Sequence, residues 1–398
     1  MGQILIRRIR LPAVIILVLI SYLAHSQNED DQQLARLLKR YPQADINGDG
    51  RLTRDEVDQV QRRRRLPNRG VPREFEVDAG WENERFPEGA VAYRSADAIR
   101  AVYTAQAGEK NAVVSYPEQP NGVLRIVGTG HSFMAPGYKT LPLITKAAGF
   151  VQPLYTHTGG GITGSARYKW EQENGIFQFE GKPEPKLLAS IANAQWEAMM
   201  WGPYFNDRPE YYACWIEFCL KYNPGMTFFL SDAWPQLYQL GKTPKSEAFF
   251  TEAVFEEMGR ERTEGYKDLI KILRNKYSTK VYLMPTSDAM VLAAKHFLRG
   301  ELPGIEGLHK AVGGKERSLW RDRLGHLGPG FERLEGYVFY ATLYGRSPEL
   351  ITQPIEYESS RGFPSEQLDT VFRRIAWQAV IGNPLSGHRD VNGDGLAD

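Results

Sequence analysis

The stretch "VLRIVGTGHSFMAPGYKT" raises the first chemical question: an apolar run (Val123, Leu124, Ile126, Val127) meets Gly128 and Gly130 and delivers Ser132 onto a turn. A serine hydroxyl attacks a carbonyl only when a base takes its proton and donors await the oxyanion. The base required is a histidine oriented by a carboxylate. His131 stands beside Ser132, yet the Gly-x-Ser-x-Gly elbow pattern is incomplete, because Met134 occupies the place of its last glycine. On these residues alone, Ser132 is either a nucleophile at the end of a strand or an ordinary loop or N-cap serine.

A second spacing has metal chemistry. Asp45, Asn47 and Asp49 put side-chain oxygens at alternate positions, Arg51 offers a backbone carbonyl, Thr53 fills the ninth position and Glu56 closes the loop at the twelfth. Calcium takes six to eight hard oxygen ligands at about 2.4 Å, and this is the EF-hand order. Gly50 supplies the tight turn and Leu52 the inward apolar residue. The chain ends on a partial copy, in which Asp390, Asn392 and Asp394 repeat the first half and Asp398 falls at the ninth position, with no glutamate at the twelfth. It reads either as a weak calcium loop completed by water or as the start of a dockerin-like or related calcium repeat that stops short.

These residues need elements to hold them. Arg7, Arg8 and Arg10 precede an apolar run from Leu11 to Ala24 and a small-x-small site, Ala24-His25-Ser26. That pattern predicts a signal peptide over 1–26 and an exported protein, with an uncleaved N-terminal anchor as the alternative and no membrane contact beyond that segment. Residues 27–66 form the EF-hand module, 67–90 a Pro- and Gly-containing linker, 91–385 the main domain and 386–398 the partial calcium loop. Within the main domain, apolar strand candidates at 123–127, 198–201, 227–230 and 280–284 alternate with helical candidates at 185–194, 209–222, 245–276, 288–300 and 331–343. Strands separated by helices predict an α/β fold with a parallel sheet covered on both faces. Cys214 and Cys219 lie at i,i+5 on one helix, roughly 8 Å apart and beyond disulfide reach, which predicts two buried thiols. With 49 Lys+Arg against 48 Asp+Glu, the charge balance offers no field for nucleic acid.

Four blocks in chain order carry a family resemblance. "GTGHSF" followed by "LPLITKAAGF", then "HTGGGITG", "WGPYFN" and "LWRDRLGHLGPGF" together resemble the SGNH/GDSL-type hydrolases, in their divergent bacterial form, over roughly residues 121–350. The resemblance implies a three-layer α/β/α sandwich of flavodoxin-like kind, with a small helical EF-hand module ahead of it. It also implies Ser132 as nucleophile, His326 as base and Asp322 as the acid behind it. Gly161 (Gly160 as second choice) and Asn206 would give oxyanion donors. This chain departs from the family pattern in three places: His131 stands where Asp or Asn is frequent, three residues separate Asp322 from His326 instead of two, and Asn206 lies four residues after Gly202 instead of two. His131 and His157 read as structural or substrate-contacting residues.

The function expected is an exported serine esterase acting on a carbohydrate ester such as an acylated polysaccharide, with calcium structural and no cofactor in catalysis. Its alternative is a non-catalytic, calcium-dependent surface or polysaccharide-binding protein on the same scaffold. Nothing in the sequence sets the oligomeric state.

Overall fold

The computed structural model describes residues 34, 35, 38, 50–53, 96–106, 113–120, 122–159, 168, 171, 187–202, 209–357 and 363–398. Two compact units divide the chain, Met1–Arg73 and Glu74–Asp398. The expected signal peptide and linker, together with Asp45, Asn47, Asp49, Glu56, Gly160, Gly161 and Asn206, lie outside the described residues.

The larger unit is built on five parallel strands: β1 (Ile126–His131), β2 (Leu154–Gly159), β3 (Ala198–Trp201), β4 (Thr227–Ser231) and β5 (Val281–Met284), in the order β2-β1-β3-β4-β5. Helices α1 (Ala96–Gln106), α2 (Ala135–Ala147), α3 (Leu187–Asn193), α4 (Pro209–Tyr222), α5 (Glu252–Tyr277) and α6 (Thr286–Leu298) accompany these strands. A short parallel pair, β6 (Gly307–His309) and β7 (Ser318–Trp320), with a one-turn helix α7 (Lys310–Gly313) between them, leads to α8 (Phe331–Tyr344) and α9 (Glu366–Gly382).

Burial on both faces explains why β3, β4 and β5 read as apolar runs rather than as alternating patterns. Ile126, Met200, Phe229 and Met284 enter one core layer with α2, α6, α8 and α9. Val127, Met199, Trp201, Phe228, Val281 and Leu283 enter the other with α3, α4 and the second half of α5. This is the parallel sheet covered on both faces that the alternation of elements predicts, and the three-layer α/β/α sandwich that the family resemblance implies. Cys214 and Cys219 are buried free thiols in the second layer, and burial pushes the Cys219 thiol far up.

The first strand differs from expectation, running Ile126–His131 instead of 123–127. Apolarity understates it because Gly128 is in the sheet for space: a Cβ there would come within 2.7 Å of the Tyr138 ring. That ring lays its hydroxyl 2.9 Å from the carbonyls of Thr129 and Met200, against the backbone of β1 and β3. Strand β2 and helices α2 and α9 were not among the predicted elements. Pro142 inside α2, and the polar Thr156, His157 and Thr158 in β2, mask their periodicity.

Candidate active site

All the sheet's strands point the same way, so the segments leaving their C-terminal ends share one edge, and Ser132 is the first residue beyond β1. It is solvent-exposed, and α2 begins three residues later at Ala135, which places the hydroxyl before a helix N-terminus. Backbone dipoles there favour negative charge.

The base arrives from far along the chain. Trp320, the last residue of β7, bridges back to Leu327, and the segment between them is closed by Arg321 N–H donating to the His326 carbonyl at 2.9 Å. Within it, Gly325 N–H donates to the Asp322 carbonyl at 2.9 Å, and Gly325 takes a φ of 87°. This tight turn folds Asp322 back under His326. Oδ2 of Asp322 lies 2.8 Å from Nδ1 of His326, and Oδ1 accepts the N–H groups of Leu324 at 3.0 Å and His326 at 3.2 Å. A carboxylate only accepts, so Nδ1 carries the proton and Nε2 of the neutral ring is left as an acceptor. That nitrogen lies 2.8 Å from Ser132 Oγ, across 194 positions of sequence. The extra residue between Asp322 and His326 is thus absorbed by the turn.

Asp322 keeps its charge in this setting. Partial burial works against it, but the His326 backbone N–H, the His326 ring and Arg321 outweigh that and hold its carboxyl below the usual range. His326 is mostly enclosed, with its side chain 18% exposed, while Asp322 is 40% exposed.

Aromatic rings wall the pair. Phe133 sets its ring edge-on to His326 (centroids 5.1 Å apart) and to His131 (4.9 Å), and stacks on Trp234 at 4.7 Å. His131 is buried and accepts the Phe133 N–H on Nδ1 at 3.3 Å, a structural position beside the nucleophile. His157, paired in register with Thr129, has Nδ1 2.5 Å from Oε1 of the fully buried Glu171. No carboxylate stands near His157 in sequence, so only the fold reveals this pairing. Gly202, directly after β3, lies beside the nucleophile loop: its backbone nitrogen is 3.0 Å from where a Cβ on Gly130 would fall.

Behind the nucleophile, the carboxyl of Glu335 on α8 accepts the N–H of Gly137 in the first turn of α2 at 2.7 Å. Burial, with Glu332 nearby, pushes Glu335 well above the usual carboxyl range, which favours its protonated form. The sequence gives no sign of Glu335, and it offers Trp234 as a substrate-facing aromatic, whereas the fold buries it against Phe133. The one local signal for Trp234 was a Ser-Asp-Ala-Trp turn placed directly after an apolar strand.

At the two calcium motifs the structure describes Gly50, Arg51, Leu52 and Thr53 of the first: Gly50 has φ 78°, Arg51 and Thr53 are exposed and Leu52 is buried. In the second, Asp390 accepts N–H bonds from Gly393 at 2.8 Å and Gly395 at 3.1 Å, plus Trp377 Nε1–H at 2.9 Å. Asp398 accepts the Val391 N–H at 2.7 Å and closes the loop. Among the described residues, no group of three or more His, Cys, Asp or Glu side chains is gathered around a common metal position. The loop's donors are all hard oxygens, which suits calcium by ligand type. No helix among the described residues is long and apolar enough to cross a membrane.

No protein-family profile matches the sequence, and no curated protein matches it. Solved structures do. A DUF4886 family protein from Bacteroides uniformis is similar over 64% of this chain and 93% of its own, at 12% identity and a TM-score of 0.40. The lipase/acylhydrolase from Enterococcus faecalis is similar over 58% of this chain and 99% of its own, at 10% identity and a TM-score of 0.31. Scores this low carry no weight for activity, so function must be read from this chain's own geometry.

Proposed function

We propose that the chain is an exported serine ester hydrolase of SGNH type. The observation that carries this reading is the relay of hydrogen bonds from Ser132 Oγ through His326 to Asp322, each link 2.8 Å long. In this reaction Ser132 Oγ attacks the ester carbonyl while Nε2 of His326 takes its proton, and Asp322 holds the ring and balances the imidazolium. Collapse of the tetrahedral adduct expels the alcohol, which leaves with that proton. Water, deprotonated by the same ring, then hydrolyses the acyl-serine and restores the hydroxyl. The N–H of Ser132 would serve the oxyanion, with Gly161 and the Asn206 amide assigned by family resemblance.

The substrate class proposed is an acylated carbohydrate, on the strength of the exported character read from residues 1–26 and of family resemblance; Trp196, Trp201, Trp215 and Trp234, which the sequence offered as cleft aromatics, are buried in the core. Calcium is proposed as structural, held by Asp45, Asn47, Asp49, Arg51 and Glu56 and, at the second loop, by Asp390, Asn392 and Asp394; its chemistry when bound is to draw loop oxygens together.

The test is hydrolysis of a short-chain nitrophenyl ester together with labelling by a serine-directed fluorophosphonate. Wild-type protein should turn over and be labelled on Ser132, and Ser132→Ala should do neither. A wild-type chain that is inert and unlabelled would overturn the enzyme and leave a calcium-dependent binding protein on the same scaffold.

A further inference from the structure

The distance between nucleophile and base is set by two loops with no covalent tie between them. The turn holding His326 is closed by its own backbone bonds and rooted by the buried Leu327, but its tip is open: Leu324 is 70% exposed and Asp322 is partly exposed. Beyond the Ser132–His326 hydrogen bond and the edge contact of Phe133 on His326, a further side chain ties this turn to the loop that carries Ser132. Trp234 meets both. Its indole, 1% exposed, stacks on Phe133, the residue after Ser132, with 21° between the planes. Its Nε1–H donates to the carbonyl of Gly325, the residue before His326, at 2.5 Å.

The segment that presents the indole is itself held. Ala233 has φ 53°, a left-handed conformation that disfavours residues with a side chain and persists only when its surroundings enforce it. The enforcement is visible. Ser231 Oγ accepts the Ala233 N–H at 3.2 Å, and Oδ1 of the buried Asp232 accepts the Ser287 N–H at 2.8 Å and the Thr286 hydroxyl at 3.1 Å. The loop after β4 is therefore pinned to the start of α6, and the indole is a fixed post between two loops that otherwise meet through the Ser132–His326 hydrogen bond and the Phe133 ring edge.

We propose that Trp234 is a positioning residue, tethering the Asp322–His326 turn to the Ser132 loop and thereby setting the base at proton-transfer distance from the nucleophile. The role in turnover rests on the hydrolase reading above; the tether itself does not.

Trp234→Phe tests it, since the smaller ring can still stack on Phe133 while the donor to the Gly325 carbonyl is lost. With a nitrophenyl ester, kcat should fall at least tenfold with KM within twofold, and fluorophosphonate labelling of Ser132 should slow in parallel. Amide exchange over residues 322–328 should quicken about tenfold. Phe218→Leu, in the opposite core layer, is the control for general loss of stability and should leave all three readouts near wild type. If Trp234→Phe lowers kcat no more than Phe218→Leu does and leaves exchange over 322–328 unchanged, the tether is overturned. If the wild-type chain neither labels nor hydrolyses, the hydrolase reading fails by itself, and exchange over 322–328 in the same two variants still decides for or against the tether.

Discussion

At the residue scale, Asp322 has the most to decide. It sits between two arginines and is 40% exposed, as an ordinary surface carboxylate would be, yet it receives three N–H groups from its own turn and ring. Asp322→Asn offers the ring an amide that can present a donor to Nδ1, favouring the wrong tautomer. Loss of kcat by roughly 10²–10⁴-fold with little change in KM is expected. A loss below fivefold in steady-state kinetics would reduce Asp322 to a partner of Arg321. The same residue has a signature in stability. Its folded pKa is lowered, so the native state releases a proton that the unfolded chain still binds. Its contribution is present above the unfolded carboxylate range, about pH 4, and is lost as pH falls through the folded value. Urea melts of wild type and Asp322→Asn should therefore differ at pH 6 and converge towards pH 3.

At the scale of elements, α2 and α8 form the support beneath the nucleophile. They approach closely because Gly137 and Gly336 face Phe339 and Thr140, where added Cβ atoms would fall 2.3 Å and 2.2 Å from the nearest side-chain atoms. Glu335 joins the two helices through the Gly137 N–H, and its burial there favours the protonated form. Here the linkage has the opposite sign. The native state keeps a proton that the unfolded chain gives up above about pH 4.3, so this group's contribution falls as pH rises. Glu335→Gln keeps an acceptor for Gly137 and removes the titration. Its stability should match wild type near pH 4 and exceed it at pH 8; equal pH slopes for the two proteins would refute the buried neutral acid. A cleaner local change lies at the far end of α5. Ser278, exposed, caps that helix with φ 48° and donates its N–H to the Arg274 carbonyl at 3.0 Å. Ser278→Gly removes the Cβ penalty of a left-handed cap and should raise unfolding free energy by about 0.5–1 kcal/mol, read from denaturant midpoints.

At the scale of the whole molecule, residues 1–73 and 74–398 form separate compact units, and each carries one candidate calcium loop. The loop at 390–398 is joined to the larger unit by an antiparallel bridge between Leu396 and Arg346, by Ser347 N–H donating to the Gly395 carbonyl at 2.7 Å, and by Trp377 on α9. Calcium bound there would stabilise the unit that contains Ser132 and His326 through mass action on the folded state. Isothermal titration of the full chain should return two calcium ions, falling to one in Asp45→Ala and to one in Asp390→Ala. An unchanged stoichiometry in either variant would remove that loop from the metal sites.

The amino-acid order on its own determines the layered α/β character, because apolar runs such as "AMMW" and "VYLM" spaced by helix lengths can bury themselves only between helices. It also marks Ser132, and, through block resemblance, proposes His326 and Asp322 as its partners. The tertiary structure alone decides that these groups meet, since a hydrogen bond across 194 positions depends on how the turn after β7, which belongs to a separate two-stranded sheet, is brought to the end of β1. Roles exercised through packing are harder to see in the sequence. Phe133 is marked by its place in the first block but not by its contacts, and Trp234 and Glu335 look like an ordinary aromatic and an ordinary helix acid until neighbours from distant segments surround them. A side chain's type is local, whereas its burial, its partner and its protonation are properties of the folded whole.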